Sequence, residues 1–344
     1  MYSLMNDYSE GAHPRILQAM LDTNLEQTAG YGQDPFCQEA ADLLRARIGR
    51  SEVDIHFIPG GTQTNMIAIS AFLRPHEAAV SAVTGHIELH EAGAIEATGH
   101  KVVTAPGKEG KLRPEDVQAV VDFHLDEHMV KPRLVYISNA TELGSIYTKQ
   151  ELSALSRFCR EHNLLLYMDG ARLGSALTAP GNDLTLADLA DLTDAFYVGG
   201  TKNGALIGEA LVICSDQLKE DFRFHIKQKG ALLAKGRLLG LQFRELFRDD
   251  LFFQLADHAN RLAAKIQEAL RALGCRFLLD SPTNQIFPVF PNWLIAELQK
   301  DYAFLIWQKV DADHSVVRLV TSWATPEEVA ERFVARCAEL LRNH

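Results

Sequence analysis

No uninterrupted apolar run in the chain approaches the roughly twenty residues that a bilayer-spanning helix needs. Paired cysteines are also missing. The five present (Cys37, Cys159, Cys214, Cys275 and Cys337) are odd in number, widely scattered and never in a C-x-x-C pair. That pattern argues against a disulfide framework or a zinc site and fits a reducing compartment. Positive charge is in deficit, with a formal net charge of −11, which argues against a broad nucleic-acid footprint. The opening Met-Tyr-Ser-Leu-Met-Asn-Asp-Tyr-Ser-Glu carries acids where a signal peptide would place its basic and apolar regions. These absences together point to a soluble, cytoplasmic protein. There is no G-x-G-x-x-G after a strand, no Walker loop and no G-x-S-x-G elbow, so nucleotide dehydrogenases, P-loop enzymes and α/β hydrolases are disfavoured. Internal repeats and low-complexity tracts are missing too.

What is present reads as an ordinary globular chain. The 344 residues are 47% hydrophobic and 23% charged, enough for one large domain and a smaller one. Short β-rich runs alternate with helical patterns. Val53–Pro59 precedes a helix expected over Thr62–Leu73, and further strands are expected at Ala79–Val83, Lys101–Ala105, Arg133–Ser138, Leu164–Met168 and Ala195–Val198. Thr148 with Glu151 three residues on forms a capping box for the helix that follows. Nearly continuous apolar strands suit a sheet covered on both faces, so the fold class is α/β with a mostly parallel sheet. Past about residue 245 the texture changes. A helical pattern from Leu255 to Leu273 stops at Gly274, strand-like runs follow at Cys275–Leu279, Gln285–Phe290, Ala303–Lys309 and Val316–Ser322, and Thr325-Pro326-Glu-Glu328 reads as a capping box with proline at the first helical position. The expected division is an N-terminal segment and large domain over 1–245 and a small α+β domain over 246–344.

Ligands of open α/β sheets sit at the carboxyl ends of strands, and three polar groups fall there. Pro59-Gly60-Gly61-Thr62 joins a strand to a helix, whose N-terminus offers free N–H groups to a phosphate; a plain tight turn is the alternative. Asp169, in Met168-Asp-Gly-Ala-Arg172, ends an apolar strand where a carboxylate needs a partner. A protonated pyridine nitrogen is one such partner, and capping of the next helix is the other reading. Lys202, in Gly199-Gly-Thr-Lys202, follows a strand and two small residues. In a dry site its lowered pKa frees the amine for Schiff-base chemistry, although any lysine taken singly reads as a surface residue. In combination, phosphate loop, strand-end acid and strand-end lysine point to pyridoxal 5′-phosphate (PLP).

His86 follows the strand at Ala79–Val83, where an imidazole can stack on the pyridine ring and handle protons or serve structure alone. Arg318, inside the apolar Val316-Val-Arg-Leu-Val, suits a bidentate grip on a substrate carboxylate or a structural ion pair. Two patterns read as decoys. His124-Leu-Asp-Glu127-His128 fits H-x-x-E-H, but it belongs to an acidic amphipathic pattern starting near Pro114 with no distant third ligand. No metal site is expected. The basic Arg223-Phe-His-Ile-Lys227-Gln-Lys229 reads as a solvated helix face first, and as a contact to a small anion, in a neighbouring subunit, second.

With these residues in place, the chain resembles the threonine aldolase and β-eliminating lyase family of PLP enzymes, of aspartate-aminotransferase-like fold. The resemblance rests on Asn6-Asp-Tyr-Ser9 with His13-Pro14, Tyr31-Gly-Gln-Asp-Pro35, Phe57-Ile-Pro-Gly-Gly61-Thr62, His86, Ala140-Thr-Glu142-Leu-Gly-Ser-Ile-Tyr147, Met168-Asp-Gly-Ala-Arg172, Gly199-Gly-Thr-Lys202 and Arg318-Leu-Val-Thr-Ser-Trp. The resemblance implies that Gly61 and Thr62 bind phosphate and that His86 stacks on the ring. It further implies that Asp169 pairs with the pyridinium, Arg172 supports the phenolic-oxygen side, Lys202 forms the Schiff base and Arg318 takes the substrate carboxylate. Tyr31 would belong to a loop that reaches a neighbouring subunit's site, which implies a homodimer or homotetramer. Asn6 stands where many relatives have serine, in the carboxylate-binding segment. Thr201 precedes the lysine, unlike the histidine of glycine hydroxymethyltransferases and cysteine desulfurases. The implied reaction is retro-aldol cleavage of L-threonine, L-allo-threonine or a related β-hydroxy-α-amino acid to glycine and an aldehyde, with His86 or a water it holds as base. The alternatives are another PLP-dependent lyase, racemase or aminotransferase, or a catalytically silent oligomeric relative.

Overall fold

Residues 1–343 are described by the structure, a computed structural model. The chain enters through a two-residue strand, β1 (Tyr2–Ser3). It then builds a seven-stranded sheet from β2 (Asp54–Ile58), β3 (Glu77–Ala82), β4 (Val102–Ala105), β5 (Lys131–Ser138), β6 (Leu165–Asp169), β7 (Ala195–Gly199) and β8 (Glu209–Ile213). The spatial order is β2-β8-β7-β6-β5-β3-β4, and only β8 runs antiparallel to its neighbours. The mostly parallel sheet expected from the sequence is therefore present.

The strand sequences are apolar throughout because both faces are covered. Val135, Ile137, Leu166, Met168, Phe196 and Val198 join the core on one side. Leu134, Tyr136, Leu165, Tyr167, Ala195 and Tyr197 join the core on the other. Complete burial of each large side chain stabilises by roughly 1.5–3 kcal/mol. The alternation has a consequence for the site, since Tyr136, Tyr167 and Tyr197 stand on one face of three adjacent strands.

Helix Leu251–Ala272 links two cores. Leu251, Phe252 and Leu255 pack into the large one, and Leu262, Ala263, Ile266 and Leu270 pack into a separate one. It ends as the sequence suggests, with Gly274 at φ +84, a left-handed position that costs glycine little. Beyond it lie β9 (Arg276–Phe277), β10 (Gln285–Ile286), β11 (Pro288–Pro291), β12 (Tyr302–Ala303), β13 (Leu305–Lys309) and β14 (His314–Val320). Strands β10 and β11 both pair antiparallel with β14, β13 flanks β14 on its own, and β9 pairs with β11. The single run expected at Gln285–Phe290 is broken at Phe287, just before Pro288, which has no N–H to give the ladder. The N-terminal segment packs here as well: β1 pairs in parallel with β12, and Leu4 is buried in this second core.

Two expectations need correction. Thr325 does not cap the last helix, Glu327–Arg342. Pro326 holds the cap position, and the Thr325 hydroxyl accepts from the Ser322 N–H instead. The His124–His128 pattern lies off its expected helix, which runs only from Pro114 to Phe123; the His124 ring turns back 2.8 Å from the Val120 carbonyl. Among the described residues no group of metal-ligating side chains is assembled, and no helix is long and apolar enough to cross a membrane.

Candidate active site

Four parallel strands, β2, β5, β6 and β7, deliver their carboxyl ends to one edge, and β8 begins there because it runs the other way. A cavity of about 550 Å³ opens at this edge, lined among others by Gly60, Gly61, Thr62, His86, Arg172, Lys202 and Arg318. Seven of the ten residues anticipated from sequence thus share one space. Gly60 caps the twelve-residue helix Gly61–Phe72 with extended backbone, so the first N–H groups of that helix face the cavity edge.

Asp169, 3% exposed, sits directly behind the cavity wall. Its carboxylate accepts four hydrogen bonds. Tyr136 Oη and Asn65 Nδ2 reach Oδ2 at 2.6 and 2.9 Å, while Tyr197 Oη and the Ala171 N–H reach Oδ1 at 2.6 and 2.9 Å. Burial alone would raise the pKa of this acid, but the charge of His86 and the donors Tyr136, Tyr197 and Asn65 outweigh it and hold the group below its ordinary value. Tyr197 and Ala171, which both donate to it, line the cavity.

Lys202 follows β7 in a tight turn. The segments around Asp169 and Lys202 are held together by the Gly199 N–H donating to the Gly170 carbonyl at 2.9 Å. A methyl group at Gly170 would overlap the Tyr197 carbonyl, and one at Gly199 would stand 2.5 Å from the Ala171 carbonyl oxygen, so only glycine permits this approach. Burial lowers the Lys202 pKa, and the Arg172 cation lowers it further against the opposing pull of Asp7, Asp169 and Glu209. Glu209 opens β8 beside it and accepts from the Gly200 N–H at 2.9 Å. Burial pushes its pKa up to about 8 despite hydrogen bonds and the nearby lysine.

Two arginines from different units meet in the same space. Arg172 is tied bidentately to Asp7, with Nε–Oδ2 and Nη2–Oδ1 distances of 2.7 and 2.9 Å, and Asn284 Nδ2 completes the Asp7 shell at 2.9 Å. Arg318, on β14, lies 5.5 Å over the Trp307 ring and donates through Nη2 to the Met5 carbonyl at 3.1 Å. Its Nε is buried without a partner. A guanidinium left with an unused donor in a cavity is an anion site in waiting.

His86 starts the short helix His86–Leu89. Its Nδ1 is 2.8 Å from Glu91 Oε1, an arrangement that favours the Nδ1–H tautomer. The backbone N–H of His86 donates to Glu142 Oε1 at 3.0 Å. His90, with its ring 5.5 Å from that of His86, also lines the cavity. Burial and the charges of His86, Arg318, Lys202 and Arg172 lower its pKa.

The profile of the Beta-eliminating lyase family matches residues 4–290. The chain belongs to the beta-eliminating lyase family. The low specificity L-threonine aldolase of a Pseudomonas species is 34% identical over 287 residues, covering 82% of each chain. A solved structure of Leishmania major threonine aldolase is 52% identical, covers 99% of this chain and 100% of its own, and superposes with a TM-score of 0.98. A Thermus thermophilus aspartate aminotransferase, at 18% identity and a TM-score of 0.72 over 99% of this chain and 91% of its own, shows the fold alone. Family and fold are those of PLP-dependent enzymes.

Two anticipated residues of this lyase lie elsewhere. Asn6 is not among the lining residues. Its Oδ1 accepts from the Tyr8 N–H and the Ser9 hydroxyl, both at 3.0 Å, which turns the chain and presents Asp7 and Tyr8 to the site instead. Tyr31 lies in a different hollow with Arg223, its ring under Lys227 Nζ at 4.5 Å and its carbonyl accepting from Arg223 Nη2 at 3.1 Å. The basic segment of helix Phe222–Gln228 therefore meets the Tyr31 loop. Sequence reading missed Asp7, Asn65, Glu91, Glu142, Tyr136, Tyr197 and Glu209. Of these, Asp7 and Glu142 fall inside motifs already noted, and only the register of β5 and β7 against β6 puts Tyr136 and Tyr197 on the face of Asp169.

Proposed function

We propose that this protein is a PLP-dependent carbon–carbon lyase that cleaves L-threonine, L-allo-threonine or related β-hydroxy-α-amino acids to glycine and an aldehyde. One observation carries the reading: a lysine of lowered pKa and an arginine with a buried, unpartnered donor share a cavity backed by an ionised aspartate. The donor set suits PLP. Gly60, Gly61 and Thr62 at the helix start would hold its phosphate, Asp169 its ring nitrogen, Lys202 its aldehyde carbon, and His86 one face of its ring. When bound, PLP supplies an electron sink for the bond that breaks at the substrate's α-carbon.

The chain's own groups do the rest. Arg318 binds the substrate carboxylate and so fixes which α-bond is presented for cleavage. Asp7 holds Arg172 in the same cavity, and Asp169 keeps its negative charge through four donors. The proposal extends to a homodimer or homotetramer with shared active sites in the cytoplasm, with the exposed Tyr31 loop as the segment that would reach a neighbouring subunit.

Incubation of the purified protein with L-threonine, L-allo-threonine and phenylserine tests the reading. Glycine with acetaldehyde or benzaldehyde is the expected product set. Release of pyruvate or other keto acids without glycine assigns a different lyase or aminotransferase reaction.

A further inference from the structure

Glu142 stands in a tight turn directly after β5, and no role has been given to it. Its backbone is held rigidly: Gly144 N–H donates to Thr141 O at 2.9 Å, and Ser281 and Thr283 hydroxyls clamp the Gly144 carbonyl at 3.1 and 3.0 Å. The carboxylate lines the same cavity as Lys202 and Arg318. Both hydrogen bonds it receives from other described residues go to one oxygen. The His86 N–H and the Ser138 hydroxyl reach Oε1 at 3.0 and 2.7 Å, and the carboxylate's other hydrogen bond is from its own backbone N–H, so no neighbouring side chain occupies Oε2. A partly buried carboxylate that is anchored through one oxygen and presented to a substrate cavity is built to take a proton.

We infer that Glu142 is the catalytic base that removes the β-hydroxyl proton of the substrate, an assignment that rests on the aldol reading above. The O–H bond breaks and the proton passes to Glu142 Oε2, while the oxygen's electron pair forms the aldehyde C=O. The Cα–Cβ bond breaks, and its electron pair remains with the glycine fragment, which takes a proton and leaves as glycine. Glu142 returns its proton to solvent.

The competing bases are less suited. His86, whose Nδ1 is held by Glu91, keeps Nε2 free and is the rival base, but it is the group assigned above to the face of the cofactor ring. Burial first, and nearby positive charge second, weaken His90 as a base. Glu142 is strengthened as a base: burial raises its pKa, and Asp169 adds to this against the lowering effects of Ser138 and His86. The other ionisable groups that feel its charge are Arg172 from the turn after β6, Tyr136 within β5, and Tyr147 beyond the turn.

The test compares PLP-loaded wild type, Glu142→Gln and Glu142→Asp in two assays. One is aldehyde release from L-threonine against pH. The other is exchange of the glycine α-proton in deuterated water by NMR, which involves no β-hydroxyl. Glu142→Gln is expected to slow cleavage by roughly a hundredfold or more and to change glycine exchange by less than about threefold. It should also flatten the acid limb of the cleavage profile, where protonation of Glu142 stops the wild type, and Glu142→Asp should recover part of the rate. Cleavage by Glu142→Gln at near-wild-type rate overturns the assignment, and so does an equal loss of both reactions, which marks a structural role. A wild type that exchanges glycine but cleaves no β-hydroxy amino acid removes the aldol reading and this inference with it.

Discussion

Asn65 donates from a single nitrogen to two buried carboxylates: Nδ2 lies 2.9 Å from Asp169 Oδ2 and 2.8 Å from Glu91 Oε1. The amide oxygen is fixed in turn by the Tyr167 hydroxyl at 3.0 Å, so the orientation is set by the network around it. Glu91 carries His86 on the same oxygen, which makes Asn65 the bridge between the strand-end acid and the imidazole. Hydrogen bonds to charged groups are worth about 1.5–3 kcal/mol each. Asn65→Ala is therefore expected to lower unfolding free energy by about 3 kcal/mol and to weaken PLP binding. Asn65→Asp is expected to be worse than Asn65→Ala on both counts, because it sets a third acid between two others. Urea unfolding and PLP titration of the three proteins check this ordering.

Arg318 presents the opposite balance. Burial and the Arg172 cation lower its pKa, so the folded state bears the cost of a poorly compensated charge. Arg318→Leu is expected to leave the melting temperature unchanged or higher, yet to raise the KM for the amino-acid substrate by roughly 10- to 150-fold, the worth of a charged hydrogen bond. Thermal unfolding and steady-state kinetics on the same preparation decide it. A drop in stability with KM intact would assign Arg318 a structural role.

Asp7 ties the N-terminal segment to Arg172. Burial would raise the pKa of its carboxyl, but the charges of Arg172 and Lys202 and the hydrogen bonds from Arg172 and Asn284 hold it below the ordinary 3.8. A depressed carboxyl pKa contributes stability that is present above the unfolded value and lost as pH falls through the folded one. Asp7→Asn is expected to cost about 3–5 kcal/mol at neutral pH by leaving Arg172 unpaired. The difference from wild type should shrink below about pH 4. Urea midpoints measured from pH 7 down to pH 3 test both the size and the direction.

Glu209 titrates the other way. With its pKa raised to about 8 by burial, its contribution is fully present below the unfolded value near 4.5 and is lost as pH rises through 8. Glu209→Gln keeps the shape and the acceptor for the Gly200 N–H. The variant is expected to match wild type near pH 5 and to become the more stable of the two by pH 9. Urea midpoints that stay parallel across this range would show that Glu209 is already ionised at neutral pH.

The sheet and most of its strands are readable in the chain because doubly covered strands must be apolar on both faces, as Leu165–Asp169 and Ala195–Gly199 are. Gly60, Gly61, Thr62, Asp169 and Lys202 were readable for a related reason, since polar groups ending apolar strands have one edge to occupy, whereas Arg318 stood out as a charge inside an apolar strand. Less legible was the direction of β8. Its Ala210-Leu-Val-Ile run suits a strand, but nothing local shows that it returns antiparallel and places Glu209 at the carboxyl edge. The hydroxyls of Tyr136 and Tyr197 were hidden inside runs read as apolar, because their function depends on register between strands far apart in sequence. Asn6 was anticipated from the resemblance alone, and only the local turn shows its Oδ1 accepting from the Tyr8 N–H and the Ser9 hydroxyl.

Lys202 is the residue proposed to carry the cofactor. Wild-type protein loaded with PLP, reduced with borohydride, digested and mapped by mass spectrometry tests it most directly. A phosphopyridoxyl group on Lys202, with Lys202→Ala losing both the modification and the visible absorbance, is the predicted result. The same group found on a different lysine, or a Lys202→Ala protein that keeps the absorbance band, would contradict the account.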